Sequence, residues 1–228
     1  MGSSEGEGVM NVKIFCDFDG TITNSDNIIA IMKKFAPSEW EAIKDDVLAE
    51  RVSIQEGVGK MFSLLPISLK EEIVSFILST SEIRTGFEQF VHYTKEKDIP
   101  LYIVSGGIDF FVEPMLDGKI DKKNLYCNGS DFLGQTIKIT WPHTCDSHCE
   151  NGCGCCKPSI IRNLVDDKDF IIVIGDSITD LQAAKMADCV LARDFLLQKC
   201  KELHLPHRPF ETFHDVIEHI NELSEVEV

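Results

Sequence analysis

Two pairs of aspartates follow two strongly apolar segments of the chain. Asp17 and Asp19 come after the first segment, and Asp176 and Asp180 come after the second, the run FIIVI at 170–174. Carboxylates that meet at one place repel one another unless a cation lies between them. Hard carboxylate oxygens suit Mg²⁺, which keeps several waters and works together with substrate phosphates. If the two segments lie side by side, the spacing predicts a cation-dependent phosphate site.

Both acidic pairs also have a purely structural interpretation. The first can be an Asp-Gly turn, which is common in proteins. In the second, Ser177 and Asp180 can form a capping box, in which the two side chains satisfy free backbone N–H groups at a helix start. The capping box leaves Asp176 unexplained, because that residue adds a further carboxylate at the same edge of the sheet.

Two other segments could bind an anion. Ser105 and Gly106, followed by Gly107, end a third apolar run, and their small side chains can leave backbone N–H groups free for an anion. Lys157 stands at the expected start of a helix, where the helix dipole disfavours a cation. A phosphate bound beside Lys157 would reverse that penalty. The alternatives are a tight strand-to-helix turn and an ordinary solvated lysine.

Nine cysteines are many for a chain with no export signal, and five of them lie within twelve residues. In a reducing compartment such a cluster favours bound metal or free thiols over disulfides. Thiolates suit Zn²⁺, although the spacing C-x3-C-x3-C-x-C-C fits no standard zinc finger. A structural Zn²⁺ site, free thiols and disulfides therefore stay open as interpretations of Cys145, Cys149, Cys153, Cys155 and Cys156.

Strands that alternate with helices must position these residues. The runs at 12–16, 101–104 and 170–174 have no polar face, which is typical of a parallel sheet covered on both sides by helices. We predict a Rossmann-like α/β fold, a parallel sheet flanked by helices. In open sheets of this kind, ligands bind at the carboxyl ends of the strands, where the polar residues described above stand.

Residues 24–85 show helical periodicity and no strand pattern. The block is too long for an ordinary crossover, so we expect a helical cap inserted after the first strand, with residues 11–23 and 86–228 forming the core domain. A capping box is expected at Ser68 and Glu71 inside the cap. Apolar cap residues can contact a substrate or belong to the core; they are Met32, Phe35, Trp40, Met61 and Phe62.

The composition narrows the classes of partner. The 228 residues carry 22 Lys+Arg and 38 Asp+Glu, a formal net charge of −16, and 43% are hydrophobic. This acidic balance argues against binding to nucleic acid or to an anionic membrane surface, and no apolar run approaches the length of a bilayer span.

The start MGSSEGEGV lacks the basic and apolar regions of a signal peptide. We expect a disordered tail at 1–10, a cytoplasmic location and a small phosphorylated metabolite as partner; the oligomeric state is left open.

Four motifs stand in a recognisable order: Asp-x-Asp-Gly-Thr at 17–21, Ser105, Lys157, and Gly-Asp-x-x-x-Asp at 175–180. In this order they resemble the haloacid dehalogenase superfamily of phosphotransferases, over nearly the whole chain from about residue 12. The segments CDFDGTIT, SLKEEI, CGCCKPS and GDSITD, together with WPH at 141–143, are similar to the methionine-salvage phosphatases. That family acts on a methylthiopentenyl phosphate ester and lies near the phosphoserine-phosphatase-like branch.

The resemblance implies a Mg²⁺-dependent phosphomonoester hydrolase that works through an aspartyl-phosphate intermediate. Asp17 would be the nucleophile, and Asp19 the general acid and later the general base. The carboxylates of Asp17 and Asp176 and the backbone carbonyl of Asp19 would hold Mg²⁺, with Asp180 and Thr21 as supporting residues.

The same resemblance implies that Ser105, Gly106 and Lys157 bind the transferring phosphoryl oxygens, where negative charge must be held.

The sequence also leaves three other functions open. Phosphoserine is the second candidate substrate, although only Arg51 and Arg84 in the cap could pair with its carboxylate. A phosphorylated receiver domain also uses an acidic pocket and a lysine on an α/β sheet, but it has another motif order and needs no helical insertion. A thiol-based metal carrier would give the cysteines the main role.

Overall fold

The computed structural model describes residues 11–225 of the protein. The tail expected at residues 1–10 lies outside the described residues. Seven strands form one sheet, and they are β1 (Asn11–Cys16), β2 (Leu101–Ile108), β3 (Leu125–Asp131), β4 (Lys138–Thr140), β5 (Asp169–Gly175), β6 (Cys189–Ala192) and β7 (His207–Pro209).

Ten α-helices accompany the sheet within the described residues. Five lie between β1 and β2: α1 (Asn27–Phe35), α2 (Glu39–Leu48), α3 (Ile54–Ser63), α4 (Lys70–Thr80) and α5 (Phe87–Glu96). The others are α6 (Asp109–Leu116), α7 (Lys157–Leu164), α8 (Leu181–Ala184), α9 (Asp194–Glu202) and α10 (Phe213–Glu225).

The strand order is β4-β3-β2-β1-β5-β6-β7. All neighbours pair in parallel except β3 and β4, which form an antiparallel hairpin. The prediction of a parallel α/β sheet flanked by helices is therefore confirmed. The order of the strands reverses at β1, which has β2 on one side and β5 on the other. Open α/β sheets bind ligands at such a switch point, outside the carboxyl ends of the strands.

Both faces of the central strands are buried because successive side chains point to opposite faces. Ile14 and Ile172 belong to one hydrophobic cluster, whereas their neighbours Phe15 and Val173 belong to another. This two-sided burial explains why the strands are apolar runs and not alternating patterns.

The first of these clusters continues into the helices between β1 and α5. It contains Ile31 of α1 and Phe62 of α3, and Phe62 packs edge-on against Phe110 of α6. The helical character of this block matches the sequence pattern, whereas its division from the core as a separate cap stays a prediction. None of the helices in residues 11–225 is long and apolar enough to cross a membrane.

Some local expectations were wrong. Ser68 and Glu71 form no capping box, because residues Ile67–Leu69 already form a 3-10 turn that runs directly into α4. The short strand β7 gave no signal in the sequence, because its three residues include a proline.

Candidate active site

Asp17 and Asp176 lie beside each other at the carboxyl ends of β1 and β5. The two strands pair from Asn11↔Asp169 to Cys16↔Ile174, and the Asp17 N–H donates to the Ile174 carbonyl at 2.9 Å. Carboxylate oxygens of Asp17, Asp176 and Asp180 lie within 4.8 Å of one another. The meeting of these acids at the switch point of the sheet is the arrangement that the sequence predicted.

Lys157 joins two of these acids. Its Nζ lies 2.5 Å from Asp17 Oδ1 and also contacts Asp180 Oδ1, and only 7% of the Lys157 surface is exposed. Burial alone would lower the pKa of the Lys157 ammonium, but the charges of Asp17 and Asp180 outweigh burial and raise that pKa above its ordinary value. Lys157 is therefore a fixed positive charge beside Asp17, and not one of the solvated lysines.

Both carboxylate oxygens of Asp180 are bound by protein groups. Oδ1 contacts Lys157, while Oδ2 accepts from the backbone N–H groups of Ser177 at 3.0 Å and of Asp176 at 3.1 Å. The capping box of Ser177 and Asp180 is thus present, as its structural interpretation expected. Asp180 holds both Lys157 and the loop that carries Asp176, which is the work of a positioning residue.

Asp176 is held differently. Its Oδ1 accepts a hydrogen bond from the Thr21 hydroxyl at 2.8 Å, and Oδ2 has no donor among the described residues. Lys157 contacts Oδ1 of Asp17, and the second oxygen of Asp17 likewise has no donor among the described residues. Each of these two acids therefore keeps one oxygen for a cation or a reacting group.

The electrostatics of the site favour a bound cation. Burial, followed by the charge of Asp180, raises the pKa of Asp176 to about 6 and holds the pKa of Asp17 well above its usual range. Lys157 supplies a single positive charge against three carboxylates. A dication such as Mg²⁺, for which carboxylate oxygens are suitable ligands, would compensate the remaining charge, so the donor set fits this ion.

Asp19 faces a separate partner, Asn27, at the start of α1. Asp19 Oδ1 accepts from the Asn27 side-chain amide at 2.6 Å and from the Asn27 backbone N–H at 3.1 Å. Burial raises the pKa of Asp19 to about 7, and the two bonds from Asn27 oppose that rise. A carboxyl group with this pKa can both donate and accept a proton near neutral pH.

The end of β2 brings Ser105 and Gly106 to the same edge of the sheet. The Ser105 side chain is fully buried, and its Oγ accepts from the Gly107 N–H at 2.9 Å. The Gly107 N–H is therefore not free for an anion, contrary to expectation. Gly106 is exposed, and a Cβ at Gly107 would come within 2.9 Å of Asp19 Oδ2, so this position must stay small.

Two residues that position the site, Asn27 and Asn128, were missed from the sequence, and a third, Arg84, was considered only as a partner for a substrate carboxylate. Asn27 holds Asp19, as described above. Asn128 donates to the Gly106 carbonyl at 2.8 Å, while its own Oδ1 is buried without a partner among the described residues. Arg84 donates to the backbone carbonyls of Gly20 and Thr21, both at 2.7 Å, and so clamps the loop after Asp19. Each is an ordinary polar residue in a helix, strand or loop, and only its long-range partner reveals its role.

The apolar residues considered for a substrate contact belong mainly to the core. Four of them are at most 5% exposed, and Phe35 packs edge-on against Phe76; the four are Met32, Trp40, Met61 and Phe62. A groove of about 490 Å³ lies instead between α3 and Trp141, and Gly59 and Lys60 of α3 line it.

The five cysteines of the cysteine-rich segment do not all lie together. The Sγ atoms of four lie within 4.8 Å of one another: Cys145, Cys149, Cys153 and Cys156. Cys155 is not part of this group, because its side chain packs in the second hydrophobic cluster and its Sγ lies 3.7 Å from the Tyr126 carbonyl.

The chain is similar in sequence to a family of hydrolases and to proteins of known name. A model of the haloacid dehalogenase-like hydrolase family matches residues 14–185. The 2-hydroxy-3-keto-5-methylthiopentenyl-1-phosphate phosphatase of Geobacillus thermodenitrificans is 69% identical over 211 residues, which cover 92% of this chain and 96% of that protein. The enzyme of the same name from Bacillus thuringiensis subsp. konkukian is 55% identical and covers 96% of this chain and 100% of its own length.

Solved structures with the same fold are more distant in sequence. A substrate-bound phosphoserine phosphatase aligns with a TM-score of 0.67 at 16% identity, covering 91% of this chain and 98% of its own. A phosphoserine phosphohydrolase-like protein from Francisella tularensis subsp. tularensis aligns with a TM-score of 0.66 at 19% identity, covering 92% and 99%. These likenesses establish the fold.

Proposed function

The chain belongs to the haloacid dehalogenase-like hydrolase family, and we propose that it is a phosphatase that dephosphorylates 2-hydroxy-3-keto-5-methylthiopentenyl-1-phosphate in methionine salvage. The observation that carries the proposal is the 69% identity, over 92% of the chain, to a protein of that name. The acidic site at the ends of β1 and β5 provides groups for the chemistry.

Asp17 is the proposed nucleophile. Its carboxylate attacks the phosphorus atom, the bond from phosphorus to the ester oxygen breaks, and an aspartyl phosphate forms. Lys157 contacts one oxygen of Asp17 at 2.5 Å and leaves the other without a protein donor among the described residues. The free oxygen is therefore the one available for attack.

Asp19 is the proposed general acid and base. In its protonated form it gives a proton to the departing ester oxygen, and in its ionised form it then takes a proton from the water that hydrolyses the aspartyl phosphate. Its pKa of about 7 supports both roles, because neither form is rare at neutral pH. Asn27 fixes one oxygen and leaves Oδ2 facing the end of β2.

We further propose that Lys157, Ser105 and Gly106 hold the phosphoryl oxygens, whose negative charge must be stabilised during transfer. The support is their position at the same sheet edge as Asp17, and the rigid placement of Lys157 between two carboxylates. Asn128 positions this loop through the Gly106 carbonyl.

Mg²⁺ is the proposed cofactor, held by the carboxylates of Asp17 and Asp176 and by the Asp19 backbone carbonyl. When bound, it supplies positive charge that screens Asp17 from the phosphate ester and offsets charge on the phosphoryl group. Thr21 orients Asp176 for this task through the 2.8 Å hydrogen bond to Oδ1, and Asp180 holds the loop that carries Asp176.

The helices of residues 24–85 are the proposed cap, which would cover the substrate and exclude water. α1 supplies Asn27 directly to Asp19, so this block already takes part in the site. A cytoplasmic location and a small phosphorylated metabolite as partner belong to the same proposal.

Phosphoserine is the second candidate substrate, since solved phosphoserine phosphatases share the fold. An amino-acid carboxylate needs a cationic partner, and the two arginines considered for it are engaged elsewhere. Arg84 binds backbone carbonyls of the 20–23 loop, and Arg51 pairs with Asp46 at 2.7 Å on the surface. This arrangement favours the methylthio ester over phosphoserine.

The test is phosphate release from three esters with and without Mg²⁺: the methylthiopentenyl phosphate, phosphoserine and an aryl phosphate. We expect kcat/KM for the first to exceed that for phosphoserine by at least about tenfold, because a site without a carboxylate partner penalises the buried charge. Equal or better use of phosphoserine would contradict the assignment. Stoichiometric phosphorylation without turnover would instead favour a receiver domain.

A further inference from the structure

Four cysteines bring their sulfur atoms together outside the proposed active site. The Sγ atoms of Cys145, Cys149, Cys153 and Cys156 all lie within 4.8 Å of one another, and the Cys149 and Cys153 sulfurs are 3.8 Å apart. Cys156 is buried, and the other three are half-buried. All four come from one stretch of twelve residues that has no helix or strand before α7 begins.

The separations fit one tetrahedral metal ion. With four Zn–S bonds of about 2.3 Å at tetrahedral angles, neighbouring sulfurs lie about 3.8 Å apart. The distance from Cys149 Sγ to Cys153 Sγ has this value. A disulfide requires about 2.05 Å between sulfurs, and all nine cysteines are free.

Hydrogen-bond donors reach two of the four sulfurs. The Cys153 N–H points at Cys145 Sγ at 3.5 Å, and the Ser159 hydroxyl donates to Cys156 Sγ at 3.0 Å. Donors of this kind stabilise negative charge on ligating sulfur and orient it, as the outer contacts of metal ligands generally do.

We infer that Cys145, Cys149, Cys153 and Cys156 bind a structural Zn²⁺ ion through four thiolates. The set is closed, with four protein ligands and no position for a reacting group, which distinguishes it from a catalytic zinc site. Soft sulfur ligands also separate this site from the oxygen ligands of the acidic site, so the two sites select different metals.

The ion would fix an irregular segment to two helices. The Gln55 N–H at the start of α3 donates to the Gly152 carbonyl at 3.0 Å. Asp146 pairs with Arg162 of α7 through bonds of 2.6 and 2.8 Å. Cys156 directly precedes Lys157, so the metal would anchor the residue from which α7 and its lysine begin.

The first experiment is elemental analysis of the full chain, purified under reducing conditions and without an immobilised-metal column. We expect about one zinc atom per chain, and a zinc X-ray absorption spectrum with four sulfur neighbours at about 2.3 Å. A chain that lacks zinc and takes up neither Zn²⁺ nor Co²⁺ after full reduction would overturn the inference. A shell of oxygen and nitrogen neighbours would do the same, since it would place the zinc at the acidic site.

Variants then identify the ligands. Cys149→Ser combined with Cys153→Ser should reduce the zinc content at least about tenfold, because two of four ligands are lost. Cys155→Ala is the matched control, since it removes a thiol of the same segment that lies outside the cluster, and it should keep the zinc. Zinc retained by the double variant, or lost equally from both variants, would refute the ligand set.

The absorption spectrum of the unchanged chain decides the matter even if the double variant fails to fold. The inference does not rest on the proposed phosphatase activity. Zinc without phosphate release would leave the metal site standing, and phosphate release without zinc would leave the enzyme standing.

Discussion

Replacement of Asn27 by alanine should shift the pH dependence of catalysis toward alkaline pH. Asp19 donates a proton to the leaving group in the proposed mechanism, so the first step requires its protonated form. The Asn27 side-chain amide donates to Asp19 Oδ1 at 2.6 Å and thereby favours the ionised form. Without this bond the protonated form is favoured, and the pKa of Asp19 rises from about 7.

The size of the shift follows from the strength of the lost bond. A hydrogen bond to a charged group contributes about 1.5–3 kcal/mol, and 1.36 kcal/mol corresponds to one pKa unit, so the pKa should rise by about one to two units. The backbone N–H of residue 27 still donates to Asp19 at 3.1 Å, which places the expected shift near the lower value.

The assay is kcat/KM for an alkyl phosphate ester as a function of pH in the presence of Mg²⁺. This ratio covers the steps up to release of the leaving group and reports groups of the free enzyme. The unchanged protein should lose activity above about pH 7, and the variant should lose it about one unit higher. An aryl phosphate with a good leaving group needs little protonation, so its alkaline limb should be shallower in both proteins.

Asn24→Ala is the control, because Asn24 lies three residues before Asn27 and is exposed, and its side chain makes a single 3.5 Å contact, with Glu82. Its profile should match that of the unchanged protein. A melting curve establishes that the Asn27 variant is folded. If the variant folds and its alkaline limb stays in place or moves to lower pH, either Asp19 is not the acid or Asn27 does not tune it.

Three other predictions test the remaining parts of the site. Asp17→Asn should stop phosphate release and leave no phosphorylated protein, whereas Asp19→Asn should accumulate a phosphorylated chain detectable by intact mass spectrometry; rapid turnover in either variant would contradict the assigned roles. Lys157→Met should raise the inhibition constant of orthophosphate at least about tenfold through loss of a charge-assisted contact, and an unchanged constant would remove Lys157 from the phosphate site. Chelation by EDTA should abolish phosphate release and added Mg²⁺ should restore it, whereas activity that persists in EDTA would exclude the proposed ion.

The position of the main acids could be predicted from the sequence, because it depends on a rule that acts at the level of whole strands. The segments before Asp17 and Asp176 are apolar on both sides, so they had to lie inside a parallel sheet, and parallel strands bring their carboxyl ends to one edge. Pairing of β1 directly with β5 then places the two acids together. No detail of side-chain packing enters this reasoning.

The residues that tune the acids could not be predicted in this way. Asn27 is separated from Asp19 by a loop of irregular conformation, and Asn128 reaches Gly106 across 22 residues. Their contacts depend on the path of each loop and on side-chain rotamers, which neither periodicity nor composition determines. The same applies to the Gly107 N–H, which was expected to be free and is bound by the Ser105 hydroxyl.

The cysteines show why spacing alone was insufficient for a metal site. Gly152 and Gly154, which flank Cys153, have φ angles of +59° and +78°, a backbone region that other residues rarely adopt. Cys153 contacts both Cys145 and Cys149, although the spacing of the segment matches no finger motif. The adjacent Cys155 and Cys156 point to different surroundings, because Cys155 packs in the second hydrophobic cluster and Cys156 is the N-cap residue of α7. Four of the five sulfurs therefore lie close together, and which four they are becomes visible only in three dimensions.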